Sequence, residues 1–422
     1  MTRKLLDDCF LHDKDRLPHN EALALLTARL HPVAGTERLP LTEASGRILA
    51  ETVIAPRDIP AHTNAAVDGY AFGHAHYDRD RGSRFRLAGR AAAGHALGQR
   101  IGPEEAARIF TGAMMPAGTD SVAMQEDVRV DGDGVFIPGG LKPGANRRLA
   151  GEDVQADSVL MEANVRLRPQ DIAALAATGA GDVSCYRRLR VGVISTGDEL
   201  LAAGAPFSEA RVYDANAPML MALSAIAGHP AAFLGMAPDK AARVEEKLSQ
   251  AAASHDVVIT SGGASRGEED HVVKALHMLG SLKMWQIAIK PGRSMSFGQI
   301  GDAVFLGLPG NPVAAFVCFL LYAAPVLSLL GGGRWREPRR YAVPAGFALN
   351  RRKPGRREFL RGMLTGGAGD QLCVIPYPHD GSGLISSLRA SDGLIEIAER
   401  IESIDEGQAV SFIPYSEFGI HS

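Results

Sequence analysis

The feature that most constrains the fold is an alternation of short apolar runs and amphipathic stretches between residues 190 and 330. The short apolar runs predict buried strands, and the amphipathic stretches have the period of a helix. Strands that alternate with helices predict a parallel sheet covered on both faces. The predicted strands cover 191–195, 231–236 and 256–260, and the predicted helices cover 214–228, 239–255 and 268–279.

The regions on either side of this alternation have different patterns. Residues 59–143 are rich in Gly and Pro with short apolar runs, which are typical of strands. Gly331–Gly333 with Pro338 indicates a linker, and the alternating runs of 339–422 predict a small β-barrel or sandwich. The sequence therefore predicts an α/β multidomain protein. Further helices are predicted at 18–31, 41–51 and 169–178.

Composition excludes several classes of protein. Lys and Arg total 45 against 48 Asp and Glu, a net charge of −3, which argues against a nucleic-acid or membrane-surface binder. Four scattered cysteines predict neither disulfides nor a zinc site and fit a reducing cytoplasm. The acidic residues near the N-terminus argue against a signal peptide. The apolar stretch 313–330 approaches the length of a membrane span, but Pro325 interrupts it, and we predict a buried helix.

Seven glycine-rich segments recur along the chain. Glycine accounts for 47 of 422 residues, which indicates many tight turns or close approaches of the backbone to a ligand. For any one segment, a tight turn that glycine merely permits is the alternative interpretation. The segments are 64–71, 110–118, 144–153, 195–200, 261–270, 289–293 and 307–312.

The fifth of these segments, SGGASRGEED, carries the clearest chemistry. It joins a predicted strand to a predicted helix, so its backbone N–H groups and the helix dipole favour an anion. Lys290 and Arg293 would neutralise that anion. Loops that follow parallel strands open on one edge of the sheet, which brings Asp198, Glu199 and Asp270 to the same place. Carboxylates beside a bound phosphate predict a bridging Mg²⁺.

In order and spacing, the seven segments resemble the motifs of the molybdopterin molybdenumtransferase family, which includes MoeA and the E domain of gephyrin. The resembling stretches are NAAVDGYA, TGAMMPAG, GANRRLAGED, STGDEL, SGGASRGEED, KPG and GLPGNP. The resemblance runs from about residue 20 to beyond residue 390. It implies a discontinuous linker domain (18–58 plus 144–186), a β-rich domain (59–143), a molybdopterin-binding α/β domain (187–331) and a C-terminal β-barrel-like domain (332–422).

The resemblance also implies an activity in molybdenum cofactor biosynthesis. Members of the family insert molybdate into adenylylated molybdopterin, with Mg²⁺-dependent release of AMP. They act as homodimers in which two chains share each active site. The resemblance further implies a molybdopterin adenylyltransferase as a partner, and neither nucleic acid nor a membrane.

Individual site residues follow from the same resemblance. The implied catalytic residues are Asp68, Thr111, Glu199, Asp239, Asp270 and Lys290. The implied substrate-binding residues are Arg148, Thr196, Gly197, Asp198, Ser261, Gly262, Gly263, Ser265, Gly267, Pro291, Gly292, Arg293, Pro309, Gly310 and Asn311. Asp270 and Glu199 are the implied metal ligands, and Asp68 and Thr111 would come from the neighbouring subunit. Asp239 rests on its position between motifs.

Several positions depart from the family pattern. Gln286 falls where the family commonly has Lys or Arg, which removes a positive charge from the pocket. Arg266 replaces a small apolar residue, so the charge could have moved there. Ala65, Val67 and Ser294 are smaller departures. We expect these changes to affect substrate affinity more than the reaction.

Three other functions remain open from the sequence. A molybdopterin adenylyltransferase on the same core would consume ATP, whereas a molybdenumtransferase releases AMP from a preformed adduct. A dimeric scaffold without activity is the second alternative, and the presence of Asp68, Thr111, Glu199 and Asp270 argues against it. A metal-dependent hydrolase is the third, and no H-E-x-x-H or comparable cluster supports it.

Overall fold

The computed structural model of the chain describes residues 16–262, 271–367 and 371–421. At its centre is a six-stranded sheet whose first four strands are parallel. The multidomain α/β architecture predicted from the sequence is confirmed. In spatial order, the strands are Ala231–Ala237, Val191–Thr196, Val257–Ser261, Ala303–Leu308, Ser294–Ile300 and Gly280–Gln286.

Ser294–Ile300 runs antiparallel to both of its neighbours, which the strand–helix alternation did not predict. Ile300 pairs with Ala303, so only Gly301 and Asp302 connect Ser294–Ile300 to Ala303–Leu308. A two-residue loop that begins with glycine is typical of a β-hairpin. The Gly-Asp dipeptide was therefore the available sequence signal for this hairpin.

The two faces of the sheet build two separate cores. Successive residues of one strand point to opposite faces: Val257 and Ile259 belong to the larger core, and Val258 belongs to the smaller one. The larger core packs against Asn216–Ile226 and the buried apolar segment, and the smaller one packs against Ala241–Ser254 and His271–Leu279. Both faces are covered, as predicted.

The apolar segment is a core helix. Pro312–Leu330 is long and apolar enough to cross a membrane, with a mean hydropathy of 2.4, but most of it is buried inside the chain. The prediction of a buried helix is confirmed. Pro325 does not end the helix, because a π-helical turn over Phe319–Ala323 precedes it. Such a wider turn accommodates the backbone hydrogen bond that proline cannot make.

Two distant parts of the N-terminal half pair with each other. Thr36–Pro40 pairs with Asp182–Tyr186, and Val53–Ile54 pairs with Val159–Met161. The helix predicted at 41–51 shortens to Leu41–Ala44, because Ile48 and Leu49 instead form bridges to the second part of the chain. The other helices of this region are His19–Arg29 and Pro169–Ala177.

Between these parts lies a six-stranded sheet of its own. Its strands, in spatial order, are Ser121–Met124, Gly69–Phe72, Glu105–Ile109, Ser83–Ala91, Gly134–Ile137 and Arg129–Asp131. A short antiparallel pair of strands, Asn64–Ala65 with Arg147–Arg148, lies at its edge. We call this region the β-rich unit (residues 59–148).

The C-terminal region forms a further sheet with one borrowed strand. Ile289–Lys290 leaves the central region and pairs in parallel with Arg357 and Glu358. The remaining strands are Arg357–Gly366, Leu372–Pro376, Gly393–Ile397, Ala409–Pro414 and Tyr341–Pro344, with the helix Ile385–Ala390. The segment that carries Lys290 is thus built into the C-terminal sheet.

Candidate active site

The carboxyl ends of the parallel strands meet at one edge of the central sheet. The register pairs Ser195 with Ser261, and Ser261 with Leu308, so these strands end side by side. The connection 287–293 opens at the same edge, because Ser296 lies opposite Gly307 in the antiparallel hairpin. We call the loops 196–199, 238–239, 261–262, 287–293 and 309–311 the carboxyl-edge site.

Asn216 ties two of these loops together. Its Nδ2 donates to Ser261 Oγ at 2.7 Å and to the Gly310 carbonyl at 2.6 Å. Its buried Oδ1 has no hydrogen-bond partner in the structure. Asp214 caps the helix that carries Asn216 by accepting the amide of Asn216 at 3.0 Å and that of Ala217 at 3.1 Å. The bridging role of Asn216 depends on contacts between segments distant in sequence, so no local pattern could have revealed it.

Thr196 reaches the same loop from the neighbouring strand. Its Oγ1 donates to the Ser261 carbonyl at 3.3 Å, and the amide of Gly262 donates to the Leu308 carbonyl at 3.0 Å. The structure therefore brings Thr196, Ser261, Gly262 and Gly310 together. The predicted residues Gly263, Ser265, Gly267 and Asp270, and the departure at Arg266, lie outside the described residues.

Asp198 and Asp239 face each other across two loops. The amide of Asp239 donates to Asp198 Oδ1 at 3.1 Å, and the amide of Asp198 donates to Asp239 Oδ2 at 3.4 Å. Asp239 belonged to no sequence motif, and this reciprocal contact places it beside the STGDEL loop. Glu199 follows directly and is exposed. Three carboxylates therefore project from one part of the carboxyl-edge site.

A cavity of about 290 Å³ lies between the carboxyl-edge site and the C-terminal sheet. Its lining combines residues of the KPG and GLPGNP motifs with residues of the C-terminal region that belong to no motif. Gln286, the departure from the family pattern, pairs with Ser294 at its rim. The cavity is lined by Lys290, Pro291, Gly292, Arg293, Ser294, Pro309, Asn311, Ala314, Phe359, Leu360, Arg361, Asp380 and Ser382.

Lys290 is paired with carboxylates in this cavity. Its Nζ lies 2.9 Å from Asp380 Oδ2 and 3.7 Å from Glu358 Oε2. The hydrogen bond and charge of Lys290 hold the pKa of Asp380 below its ordinary value. Asp380 is exposed, so an anionic substrate could compete for Lys290 at little cost, because exposed ion pairs contribute little to stability.

Arg361 is the cation that sequence reasoning missed. It is only 3% exposed, and its guanidinium donates to Ser387 Oγ at 3.1 Å and to the His379 carbonyl at 2.9 Å. It forms no ion pair with a carboxylate of the described residues, and burial lowers its pKa. Its position in the sequence could have revealed it. Arg361 lies two residues after Phe359, and in an alternating strand both side chains point to the same, buried face.

The KPG loop is anchored on the buried helix. Cys318 Sγ lies 3.4 Å from the carbonyl oxygen of Gly292 and donates to it. Gly292 has φ +95°, and a Cβ there would lie 2.3 Å from Cys318 Sγ. Burial raises the pKa of the Cys318 thiol to about 12, so the thiol is neutral at physiological pH. Only glycine fits at position 292 without moving the helix or the loop.

A second group of predicted residues lies in the β-rich unit. Asp68 Oδ1 accepts the amide and the hydroxyl of Thr111, both at 2.8 Å. These hydrogen bonds lower the pKa of Asp68. Arg148 pairs with Asn64 in the neighbouring strand pair, and the amide of Gly112 donates to the Ala65 carbonyl at 2.9 Å. Three sequence motifs thus form what we call the Asp68–Thr111 cluster (residues 64–69, 110–112 and 146–148).

The two groups are not joined within one chain. In the parts of the chain that the structure describes, no hydrogen bond or ion pair links residues 59–143 to residues 187–421. The structure therefore collects the predicted residues at two places, the carboxyl-edge site and the Asp68–Thr111 cluster.

The carboxylates of the carboxyl-edge site suit a divalent cation that arrives with substrate. Across 16–262, 271–367 and 371–421, no group of three or more His, Cys, Asp or Glu residues could hold a metal ion. Mg²⁺ often uses only one or two carboxylates, together with waters and substrate phosphates. Asp198, Glu199 and Asp239 offer oxygen donors of that kind, so the residues fit Mg²⁺ shared with a phosphorylated substrate.

Comparison with known proteins decides the family. The chain matches three family profiles: "MoeA N-terminal region (domain I and II)" over residues 17–179, "Probable molybdopterin binding domain" over 192–328, and "MoeA C-terminal region (domain IV)" over 343–415. A molybdopterin molybdenumtransferase of Haemophilus influenzae is 37% identical over 383 residues, which cover 90% of this chain and 94% of that protein. The chain belongs to the MoeA family.

Other members of the MoeA family are similar along nearly their whole length. Molybdopterin molybdenumtransferase 2 of Mycobacterium tuberculosis is 30% identical over 402 residues, 92% of this chain and 96% of that protein. The crystal structure of a MoeA protein from Pyrococcus horikoshii has a TM-score of 0.81 and 29% identity, and the match covers 95% of this chain and all of that one. The family resemblance stated from the sequence motifs is confirmed.

Proposed function

We propose that this chain is a molybdopterin molybdenumtransferase that inserts molybdate into adenylylated molybdopterin and releases AMP. The observation that carries the proposal is the convergence of the STGDEL, SGG, KPG and GLPGNP loops on one edge of a parallel sheet, next to a cavity with three cationic side chains. Ligands of such sheets bind beyond the carboxyl ends of the strands. The proposed reaction takes place at the carboxyl-edge site.

Lys290, Arg293 and Arg361 provide the charge that a polyanionic substrate needs. All three line the cavity of about 290 Å³. Arg361 is buried and held by neutral acceptors, so it retains an unneutralised charge that favours a phosphate or pyrophosphate group. Lys290 exchanges its exposed partner Asp380 for the substrate. This exchange would position the phosphoanhydride beside the carboxylates of the same edge.

Mg²⁺ is the proposed cofactor. Asp198, Glu199 and Asp239 would hold it together with Asp270, the residue that the family motif implies. When bound, Mg²⁺ withdraws negative charge from phosphate oxygens and so helps AMP to leave. The chain's own contribution is to hold Asp198 and Asp239 in place, because each carboxylate accepts the backbone amide of the other residue.

The Asp68–Thr111 cluster is proposed to complete the site of a second chain in a homodimer. Thr111 Oγ1 already donates its proton to Asp68, so the pair offers only acceptor lone pairs to a ligand. Such a pair suits a water or hydroxyl group rather than molybdate itself. Molybdate, a dianion, is better held by donors such as Arg148. We further propose a cytoplasmic protein that receives its substrate from a molybdopterin adenylyltransferase.

AMP release from adenylylated molybdopterin, with Mg²⁺ and with or without molybdate, tests the activity. We expect molybdate-stimulated release by the wild type, loss in Lys290→Ala, and no loss in the exposed control Lys353→Ala. In a parallel assay with molybdopterin and ATP, consumption of ATP by a chain that releases no AMP from the adduct would instead identify an adenylyltransferase. Tight binding of substrate without release would identify a scaffold.

Mixing two inactive variants tests the shared site. If each site combines the Asp68–Thr111 cluster of one chain with the carboxyl edge of the other, a heterodimer of Asp68→Asn and Lys290→Ala has one intact site. Random mixing would then restore about a quarter of the wild-type activity. No recovery, with heterodimers shown to form, would place each site within a single chain.

A further inference from the structure

A strongly basic pocket lies at the opposite end of the central sheet. It has a volume of about 320 Å³ and spans the junction between the N-terminal half and the central sheet. Four arginines against two carboxylates leave a net charge of +2 around it. We call it the arginine pocket; it is lined by Val33, Ala34, Glu37, Arg47, Arg187, Arg188, Arg190 and Asp256.

The arginine pocket is distinct from the carboxyl-edge site. Arg190 and Asp256 stand at the amino ends of the strands Val191–Thr196 and Val257–Ser261. Six residue steps of extended strand therefore separate Arg190 from Thr196, a distance of roughly 20 Å at the usual rise per residue. None of the residues assigned to the proposed reaction lines the arginine pocket.

Only part of the positive charge is neutralised within the chain. Arg190 forms a bidentate pair with Asp256 through Nε and Nη2. Arg47, with a side chain 10% exposed, bonds to Glu37 and donates to the Tyr186 carbonyl at 2.9 Å. These two arginines are thereby held in place by partners. The same contacts occupy Glu37 and Asp256, the two carboxylates that line the pocket.

Arg187 and Arg188 supply the charge that is left over. Neither side chain forms an ion pair or hydrogen bond with any described residue. The guanidinium of Arg187 lies against Gly35, where an added Cβ would be 2.6 Å from its Nη2. Burial lowers the pKa of the neighbouring His229, and the charges of Arg166, Arg188 and Arg47 lower it further. Arg187 and Arg188 thus leave two exposed guanidinium groups open to a ligand.

We propose that the arginine pocket binds a tetrahedral oxyanion, either a free ion such as phosphate or the phosphate group of a monoester. Planar guanidinium groups with several donors recognise such oxygens well. The bound anion would contact Arg47 from the N-terminal half and Arg187, Arg188 and Arg190 from the connection into the central sheet. It would therefore brace the junction between these two regions.

Titration calorimetry with inorganic phosphate and with glycerol phosphate, a simple phosphate monoester, at constant ionic strength, tests the proposal. The test variant is Arg187→Gln/Arg188→Gln, whose arginine side chains form no hydrogen bond or ion pair with the described residues. The matched control, Arg100→Gln/Arg400→Gln, removes the same charge from exposed positions. We expect the test variant to lose at least about tenfold in affinity for the anion, and the control to keep wild-type affinity.

The two ligands distinguish the sources of the anion. Loss of phosphate binding in the test variant alone supports a free-ion site, and loss of glycerol phosphate binding alone supports a monoester site. Equal affinity of the wild type and the test variant for both ligands would overturn the proposal. So would an equal loss in the control, because it would show a nonspecific effect of net charge. None of these results depends on the transferase activity.

Discussion

The carboxyl-edge site and the Asp68–Thr111 cluster hold their polar residues by different means. At the carboxyl edge, Asn216 and Gly292 are tied to buried elements that are distant in sequence. In the Asp68–Thr111 cluster, Asp68 and Thr111 meet on exposed loops of one small sheet. At the carboxyl edge, the positions of the site residues therefore depend on packing in the core. In the Asp68–Thr111 cluster, they depend on contacts at the surface. Substitutions should therefore cost more stability in the first region than in the second.

The largest effect on stability is expected at Gly292. Gly292→Ala places a methyl group against Cys318 and forces a left-handed backbone, which should lower the free energy of unfolding by about 3 kcal/mol. Urea denaturation measures this change in the free energy of unfolding. The matched variant in the other region is Gly112→Ala, with φ +78° and open space around its Cβ, for which only backbone strain of about 1 kcal/mol is expected.

The double variant Gly292→Ala/Cys318→Ala separates the two causes. Removing Sγ relieves the contact and leaves only the strain, so we expect it to be more stable than Gly292→Ala alone. If the double variant is less stable than the single one, the thiol is not the obstacle, and the KPG loop is not anchored as described.

A smaller loss is expected at Asn216. Asn216→Ala removes the donors to Ser261 and Gly310, which should cost about 2 kcal/mol in unfolding free energy. AMP release should fall as well, because the two loops lose their common anchor. Chemical denaturation and steady-state kinetics together measure it. A variant with wild-type stability would show that the bridge across the carboxyl edge is dispensable.

Acid should destabilise the folded chain through two buried histidines, His19 and His229. His19 bonds to Tyr322 of the buried helix at 2.7 Å, and burial lowers the pKa of His19 and of His229 to about 4. Unfolding restores the ordinary value near 6.5, so the unfolded chain binds more protons below that pH. Stability is therefore complete above pH 6.5 and falls as the pH drops towards 4, by about 1 kcal/mol per histidine at pH 5.5.

Glutamine variants check this pH dependence. His19→Gln and His229→Gln cannot titrate, so the difference in unfolding free energy between pH 7.5 and pH 5.5 should shrink in each. The exposed control His31→Gln should leave the difference unchanged. An undiminished difference in both buried variants would assign the acid sensitivity to other groups.

The sequence predicted the parts of this molecule that depend on local patterns. Strand–helix alternation located the parallel strands, and an uncharged apolar run located the buried helix. What it could not show depends on distant pairing. Ile289–Lys290 is too short to have a periodicity, yet it joins the C-terminal sheet and brings Lys290 to Asp380 and into a cavity shared with Arg361. Asn216 likewise acquires its bridging role only when Ser261 and Gly310 meet.

The smallest effect on stability is expected at Asp68. Asp68→Asn keeps the side-chain shape and an amide oxygen that can still accept both groups of Thr111. It removes the negative charge and turns the second carboxylate oxygen into an NH2 donor. Because the Thr111 contacts can persist, the unfolding free energy should change by less than about 0.5 kcal/mol. AMP release should nevertheless fall by about a hundredfold, because the charge and the free acceptor oxygen are lost. Thr111→Val should also lower AMP release, and Glu126→Gln, in the turn after Ser121–Met124, is the matched exposed control. A loss of stability as large as that of Asn216→Ala would erase the difference between the two regions, since it would make the Asp68–Thr111 cluster a structural element as well.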